Sequence, residues 1–529
     1  MIKTDLILPL EYSLCDIKRI ISEKLPVKPE EIKDVRIAKR SLDFSGEKIV
    51  YKASVGFSLG EEREAGLLKI RNKVFPWENY SLELPPVKFA LRPVVVGMGP
   101  AGIFAALTLA KSGAMPIILE RGEDVDARRE SIKKFEKLGI LNPESNVQFG
   151  EGGAGTYSDG KLKVGGMDKY KYEVLSEFIS AGADEDIIYT VGAHLGTDKL
   201  HSIIKNIRNK LKSLGTEIIF GARFDSFSMK DGRICSVNYE KCGKMHSLET
   251  DKLIVAIGHS ANDTFEMLSS MGLPMESKGF GIGVRIEHKR EYIDGLIYKN
   301  RYSAPLGAAS YHLVTHLENG RSVYSFCMCP GGTVVAAASE EGGVVTNGMS
   351  EYKRDAENSN AALLVSVTPR DFESDSPLAG IYYRRKIEKA AYSSVGGGYL
   401  APAITLSDFL SDKKPQGFGD VMPSYPRGVV PTAASEYLPE YVSDSIKAAM
   451  TDFDKHLSGF KKSDATLTGV ETRTTSPVRI LRSQNYAVPG FSGFYPIGEG
   501  AGYAGGIISS AVDGVRAAES IILETGENF

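Results

Sequence analysis

The chain has 529 residues, a formal net charge of −3, 42% hydrophobic residues and 25% charged residues. These are ordinary values for a globular chain of roughly two to four domains. No apolar run approaches the ~18 residues of a membrane helix, and the charge balance leaves no nucleic-acid footprint. Five cysteines form no disulfide framework, so a reducing, cytoplasmic setting is expected, with neither nucleic acid nor membrane as partner.

Glycine departs from the average. There are 55, about one residue in ten against a usual 7% or so. Residues 1–90 hold four, residues 91–166 hold thirteen and residues 493–506 hold six. Glycine is used where backbone turns with positive φ or approaches a ligand closely.

In chain order, residues 1–90 read as a small α/β module. Lys3 to Leu8 suits a strand, and Ser13 caps a helix with Ile17, Ile20, Ile21 and Leu25 on one side. Pro85-Pro86 closes the module. Residues 91–274 open with strand, tight turn, helix and strand: Val94–Val96, Gly97-Met98-Gly99-Pro100-Ala101-Gly102, Ile103–Lys111 and Pro116–Glu120. This is the βαβ start of a doubly wound, Rossmann-like sheet. Asp124–Leu138 and Lys199–Leu214 are expected helices, separated by a glycine loop at 149–160. Residues 275–390 are dominated by β-like runs and are expected to form an inserted substrate domain or cap. Residues 391–529 complete the cap and return to the nucleotide domain through a strand, a glycine turn and a final helix.

Gly97-x-Gly99-x-x-Gly102 alone is a weak signal. After an apolar strand, at the head of a helix and 18 residues before Glu120 at the end of the next strand, it predicts a dinucleotide site. Gly97 permits the turn, Gly99 lets the pyrophosphate approach, and Gly102 lets helix and strand pack. Pro100 and Ala101 open the helix, whose N-terminus suits phosphate. Glu120, followed by Arg121, is expected to take a ribose diol, which disfavours a 2′-phosphate.

Two later strands favour FAD over NAD here: Leu253–Ile257, which runs through Ala256 to Gly258, and Tyr495–Ile497, which ends at Gly498-Glu499. In this order the three elements resemble the FAD-binding fold of the glutathione-reductase-like flavoproteins. Segments 146–162, 326–332, 471–479 and 498–507 are similar to the bacterial family of uncharacterised FAD-dependent dehydrogenases, the NAD(FAD)-utilising group. The resemblance covers nearly the whole chain. It implies that Gly498 and Glu499 hold the ribityl chain, although the usual acid is Asp. It also implies that Gly505, Gly506 and Ile507 bring the last helix N-terminus to the flavin pyrimidine ring. The loop with Gly152, Gly153, Gly155 and Thr156 is expected against the flavin or pyrophosphate.

Candidate catalytic groups are Lys161, Cys327, Cys329, Arg473 and Arg479. Lys161 is either a solvated surface lysine or a group near the flavin. Arg473 and Arg479 suit an anion clamp or a flavin-tuning cation, or else a structural ion pair, with Glu471 as a candidate partner. Cys327 and Cys329 should share one face of a strand, as a redox pair or as small buried hydrophobes. His312 and His316 lack a third ligand, so no metal site is expected. Gly279-Phe280-Gly281-Ile282-Gly283 runs into a strand, so no second dinucleotide domain is expected, and NADH or NADPH would serve only as a transient reductant. The leading expectation is an FAD-dependent oxidoreductase, a dehydrogenase acting on a small molecule. The alternatives are an electron-transfer or sensor flavoprotein with a redox partner protein, and a tRNA-modifying flavoprotein.

Overall fold

The computed structural model describes residues 1–70, 72–299, 301 and 306–526. The nucleotide domain is built on a five-stranded parallel sheet in the order Phe494–Pro496, Leu253–Val255, Val94–Val96, Ile117–Glu120, Glu217–Phe220. The strands read as short apolar runs because both faces are covered. Helices Pro100–Lys111 and Ile507–Gly526 pack on each other over one face. They approach closely because Gly514 stands where any Cβ would overlap the Ala101 carbonyl. The three-stranded antiparallel sheet Arg223–Lys230, Arg233–Lys241, Lys244–Glu249 follows the last parallel strand.

The expected cap is a seven-stranded sheet in the order 314–316, 322–329, 358–367, 280–289, 466–471, 401–405, 429–431. Its central strand, Phe280–Lys289, is buried along nearly its whole length. Helix Glu440–His456 packs on one face and helix Ala379–Ser394 lies beside the strands 401–405 and 466–471. The sheet therefore draws strands from well beyond residue 390 before the chain returns to the nucleotide domain. A two-stranded piece, Met275–Ser277 with Val478–Ile480, ties entry and exit together.

The N-terminal module is a separate four-stranded sheet, ordered 33–43, 50–58, 2–8, 75–76. Helix Leu14–Lys24 starts at Ser13 with a full capping box to Asp16. Arg40 docks the module on the nucleotide domain through hydrogen bonds to Asp186 and Thr190.

Candidate functional site: a cavity between nucleotide turn and cap

A cavity of about 410 Å³ runs from the nucleotide turn to the cap sheet, within the usual range for small-molecule sites. Gly97, Gly99, Pro100 and Ala101 line it, as do Glu120, Arg121, Gly153, Gly155, Ala256 and Gly258. Glu499, Gly505, Gly506 and Ile507 line it from the C-terminal turn. Lys161, Cys327 and Arg473 reach it as well. Gly102, Gly152, Thr156, Gly498, Cys329 and Arg479 lie outside its lining.

The glycines outside it serve the scaffold. A Cβ on Gly102 would overlap the Gly97 carbonyl, and one on Gly498 would come within 2.6 Å of the Ala101 Cβ. Gly152 leaves room for the Thr156 hydroxyl. Arg479 pairs on the surface with Glu276 at 3.0 Å and lies over Tyr503, so it is no anion clamp in this cavity. Arg473 edges the cavity, but its Nε and Nη2 donate to Glu388 at 2.9 and 2.8 Å. It is thus a buried ion pair, with Glu388 rather than Glu471 as partner.

Glu120 is held by backbone. Its carboxylate accepts from the N–H groups of Met98, Gly122 and Gly150 at 2.7, 2.8 and 3.1 Å. A carboxylate has about four acceptor sites, so room for a ribose hydroxyl remains. Arg121 is committed to Asp263 and Glu144 and lies over Phe149.

The glycine loop is positioned by a residue that sequence reasoning missed. Arg128, fully buried on helix Val125–Leu138, donates to the carbonyls of Asn146, Val147, Gly150, Glu151 and Gly153. It draws the loop against the nucleotide turn, where a Cβ on Gly153 would come within 2.9 Å of the Gly99 Cα. In the sequence Arg128 is one more charge on a charged helix. No periodicity marks it, because its partners are backbone carbonyls of another segment.

Two features of the lining fit FAD. Gly99, Gly505 and Gly506 have ordinary φ, and a Cβ there would meet no protein atom closer than 3.7 Å. The bareness of these three walls therefore serves a ligand, not the packing. Glu499 faces the cavity with no hydrogen bond to its carboxyl among the described residues, and its enclosure pushes that carboxyl up to about 7. An orphaned acid beside a glycine-lined helix N-terminus is what a ribityl or pyrimidine partner would satisfy.

At the cap, the expectation of two cysteines on one strand face is corrected. Strand Ser322–Cys329 shifts register between Phe326 and Cys329, and Cys327 has φ +41. The extra residue is a bulge. It turns Cys327 into the cavity and leaves Cys329 fully buried. Lys161 Nζ donates to the Met328 carbonyl, and Arg285 donates to the Cys327 carbonyl at 2.8 Å. Hydrogen bonding from the Cys329 thiol, with Arg285 and Lys161 near, pulls Cys327 down to about 6, while Cys329 is pushed up. Glu471, also on the lining, lies 3.2 Å from Arg285 Nε without hydrogen-bond alignment, and burial pushes it up to about 7. His259 lines the cavity too. Burial beside Arg384 and Arg473 pushes it down to about 3, so it is neutral. Gly281 and Gly283 lie inside the central cap strand, where a Cβ would overlap the Tyr324 hydroxyl or the Leu363 carbonyl. They serve sheet packing.

Residues 279–474 match the family model "FAD-dependent protein, C-terminal domain-like", which is the cap sheet. An uncharacterized protein of Clostridium beijerinckii is 46% identical over 522 residues, 97% of each chain. Among solved structures, the chain is similar to the flavin-dependent brominase Bmp2, at 12% identity over 82% of this chain and 79% of that one, TM-score 0.39. It is also similar to a flavoprotein/dehydrogenase from Cytophaga hutchinsonii, at 12% identity over 83% and 79%, TM-score 0.36. Overlaps this loose carry no information on the reaction. The chain belongs to one family with the clostridial protein and carries the FAD-dependent protein C-terminal domain, and FAD is its cofactor.

Proposed function

We propose that the protein is an FAD-dependent oxidoreductase that passes hydride between the flavin and a small molecule admitted under the cap. The observation that carries this reading is the continuity of the cavity. The glycine walls of the nucleotide turn and the cap groups Cys327, Asn347 and Glu471 face one space. FAD, when bound, supplies the two-electron chemistry. The chain's own residues bind and orient. Glu120 and the loop held by Arg128 shape the nucleotide end. The N-terminus of helix Ile507–Gly526 offers N–H groups and a positive dipole end to developing negative charge. Glu499 offers an acceptor or, protonated, a donor. Near the cap, Lys161 and Arg285 keep the surroundings of Cys327 positive, which favours an anionic group there.

The order of nucleotide turn, Ala-x-Gly strand and late Gly-acid strand supports placement with the glutathione-reductase-like flavoproteins. A cytoplasmic enzyme drawing electrons from substrate, from transiently docked NADH or NADPH, or from a redox partner protein is consistent with the reading. Anaerobic bleaching of the holoenzyme by a metabolite panel tests it. Bleaching by one metabolite class, with turnover in the presence of an acceptor, is the expected result. Bleaching only with a protein partner would replace this reading with an electron-transfer one.

A further inference from the structure

In a regular strand, residues two apart lie about 6.6 Å apart along the chain. A disulfide needs Cβ atoms about 3.5–4.5 Å apart, so a Cys-x-Cys pair in a flat strand does not close. Cys327 and Cys329 are not in a flat strand. The register shift inserts one residue between Phe326 and Cys329, and Cys327 takes a positive φ that non-glycine residues rarely adopt. The Cys329 Sγ folds back on residue 327 and lies 3.2 Å from its carbonyl oxygen. The bulge is held from outside. Lys161, which directly follows the glycine loop, donates to the Met328 carbonyl, and buried Arg285 donates to the Cys327 carbonyl. Gly348 makes room for that guanidinium, since a Cβ there would stand 2.6 Å from Arg285 Cζ. One thiol of the pair faces the cavity and the other lies in the core behind it. The remaining cysteines, Cys15, Cys235 and Cys242, are exposed elsewhere.

We propose that Cys327 and Cys329 form a second redox centre, a dithiol that closes to an intramolecular disulfide and exchanges two electrons with the flavin. Written in the oxidising direction, the Cys327 thiolate and the Cys329 thiol lose two electrons and one proton, and the S–S bond forms. Oxidised FAD takes up those two electrons and that proton, so the exchange balances without a further reactant. The reverse step opens the disulfide. The substrate class implied is a small thiol or disulfide able to reach Cys327 from the cavity and exchange with it, Cys329 acting as the resolving thiol. This inference rests on the proposed oxidoreductase reading of the cavity.

The test uses the full-length holoenzyme with Cys15, Cys235 and Cys242 replaced by Ser. After treatment with glutathione disulfide, alkylation and intact mass should show loss of two hydrogens and a 327–329 cross-link. C329S should instead carry glutathione on Cys327. Anaerobic dithionite titration of the oxidised protein should take twice the reductant per flavin that C329S never exposed to glutathione disulfide takes. C327S, changed on the cavity wall, provides the same comparison if C329S does not fold. A glutathione adduct on Cys327 in the unvaried pair, two free thiols, or equal reductant in pair and variant would each overturn the proposal. A protein that forms the cross-link but is bleached by no metabolite or partner overturns the oxidoreductase reading instead. Substrate bleaching without the cross-link leaves that reading standing and removes the dithiol.

Discussion

Cys327 gathers a hydrogen bond from Cys329 and the charges of Arg285 and Lys161, and these outweigh the burial that would raise it. Its alkylation rate should therefore reach half its plateau near pH 6, and C329S should move that midpoint upward by about a unit or more. A midpoint unchanged in C329S, followed with iodoacetamide, would remove the pair's coupling. Glu499 acts in the opposite direction. Its carboxyl is raised to about 7 in the fold, against about 4.3 for an unfolded Glu. The folded state holds the extra proton between those values. Its contribution is thus complete below about pH 4 and is lost as pH rises through about 7. Between about pH 5 and pH 8 the apoprotein should lose on the order of 2–3 kcal/mol from this group. Glu499→Gln, uncharged throughout, should show a flatter Tm–pH curve. Gly99 belongs to the same scale. A Cβ at residue 99 meets only the Gly153 Cα, at 3.8 Å, on the protein side, so the apo Tm should barely move in Gly99→Ala, while Gly99→Val should bring retained FAD to near zero. A yellow, fully loaded variant would argue against the pyrophosphate at this wall.

Elements meet here through backbone, and that makes single residues costly. Arg128 satisfies five carbonyls of the loop 146–153 from the helix Val125–Leu138. Arg128→Met would leave those carbonyls buried without donors. By the cost of unmade buried hydrogen bonds, it should destabilise by about 3 kcal/mol or more. It should also release the glycine loop, seen as fast amide exchange over residues 146–153 and lost FAD. A protected loop in this variant would show that packing alone holds it. At the crossing of the two long helices of the nucleotide domain, Gly514→Val would drive a branched side chain into the Ala101 carbonyl, with an expected loss of about 1–3 kcal/mol on thermal unfolding.

Across the whole molecule, cap and nucleotide domain share a boundary rather than a linker. Arg473 leaves the cap strand Thr466–Glu471, crosses the cavity edge and is held by Glu388 on the cap helix Ala379–Ser394. Both side chains are almost fully buried. Glu388→Gln should cost about 3 kcal/mol because it leaves a buried cation with only Glu340, 3.5 Å away, as its anion. The double variant E388M/R473M should recover much of that loss. A double variant no more stable than the single one would mean that the pair is worth more than its isolated charge costs. Ligand linkage acts at this scale too. FAD at about 100 times its Kd should add about 2.7 kcal/mol to the holoenzyme.

The nucleotide turn, its two flanking strands and the late Gly-acid strand were legible from local sequence. Their chemistry is local: a glycine permits a turn that a side chain would block, and the apolar run Val94–Val96 marks a strand covered on both faces. The cap was legible as β-rich but not in its strand order, since register is set by partners far along the chain, as where strand Phe280–Lys289 pairs with both Asn358–Val367 and Thr466–Glu471. Cys327 and Cys329 show the limit most clearly. Their spacing predicts a shared face, yet one inserted residue in the pairing with strand Asn358–Val367 separates a cavity thiol from a core thiol. Arg128 and the pairing of Arg473 with Glu388 left no mark on the sequence at all. Charge and hydrogen bonding depend on which groups burial brings together, and that is a property of the packed chain, not of its order.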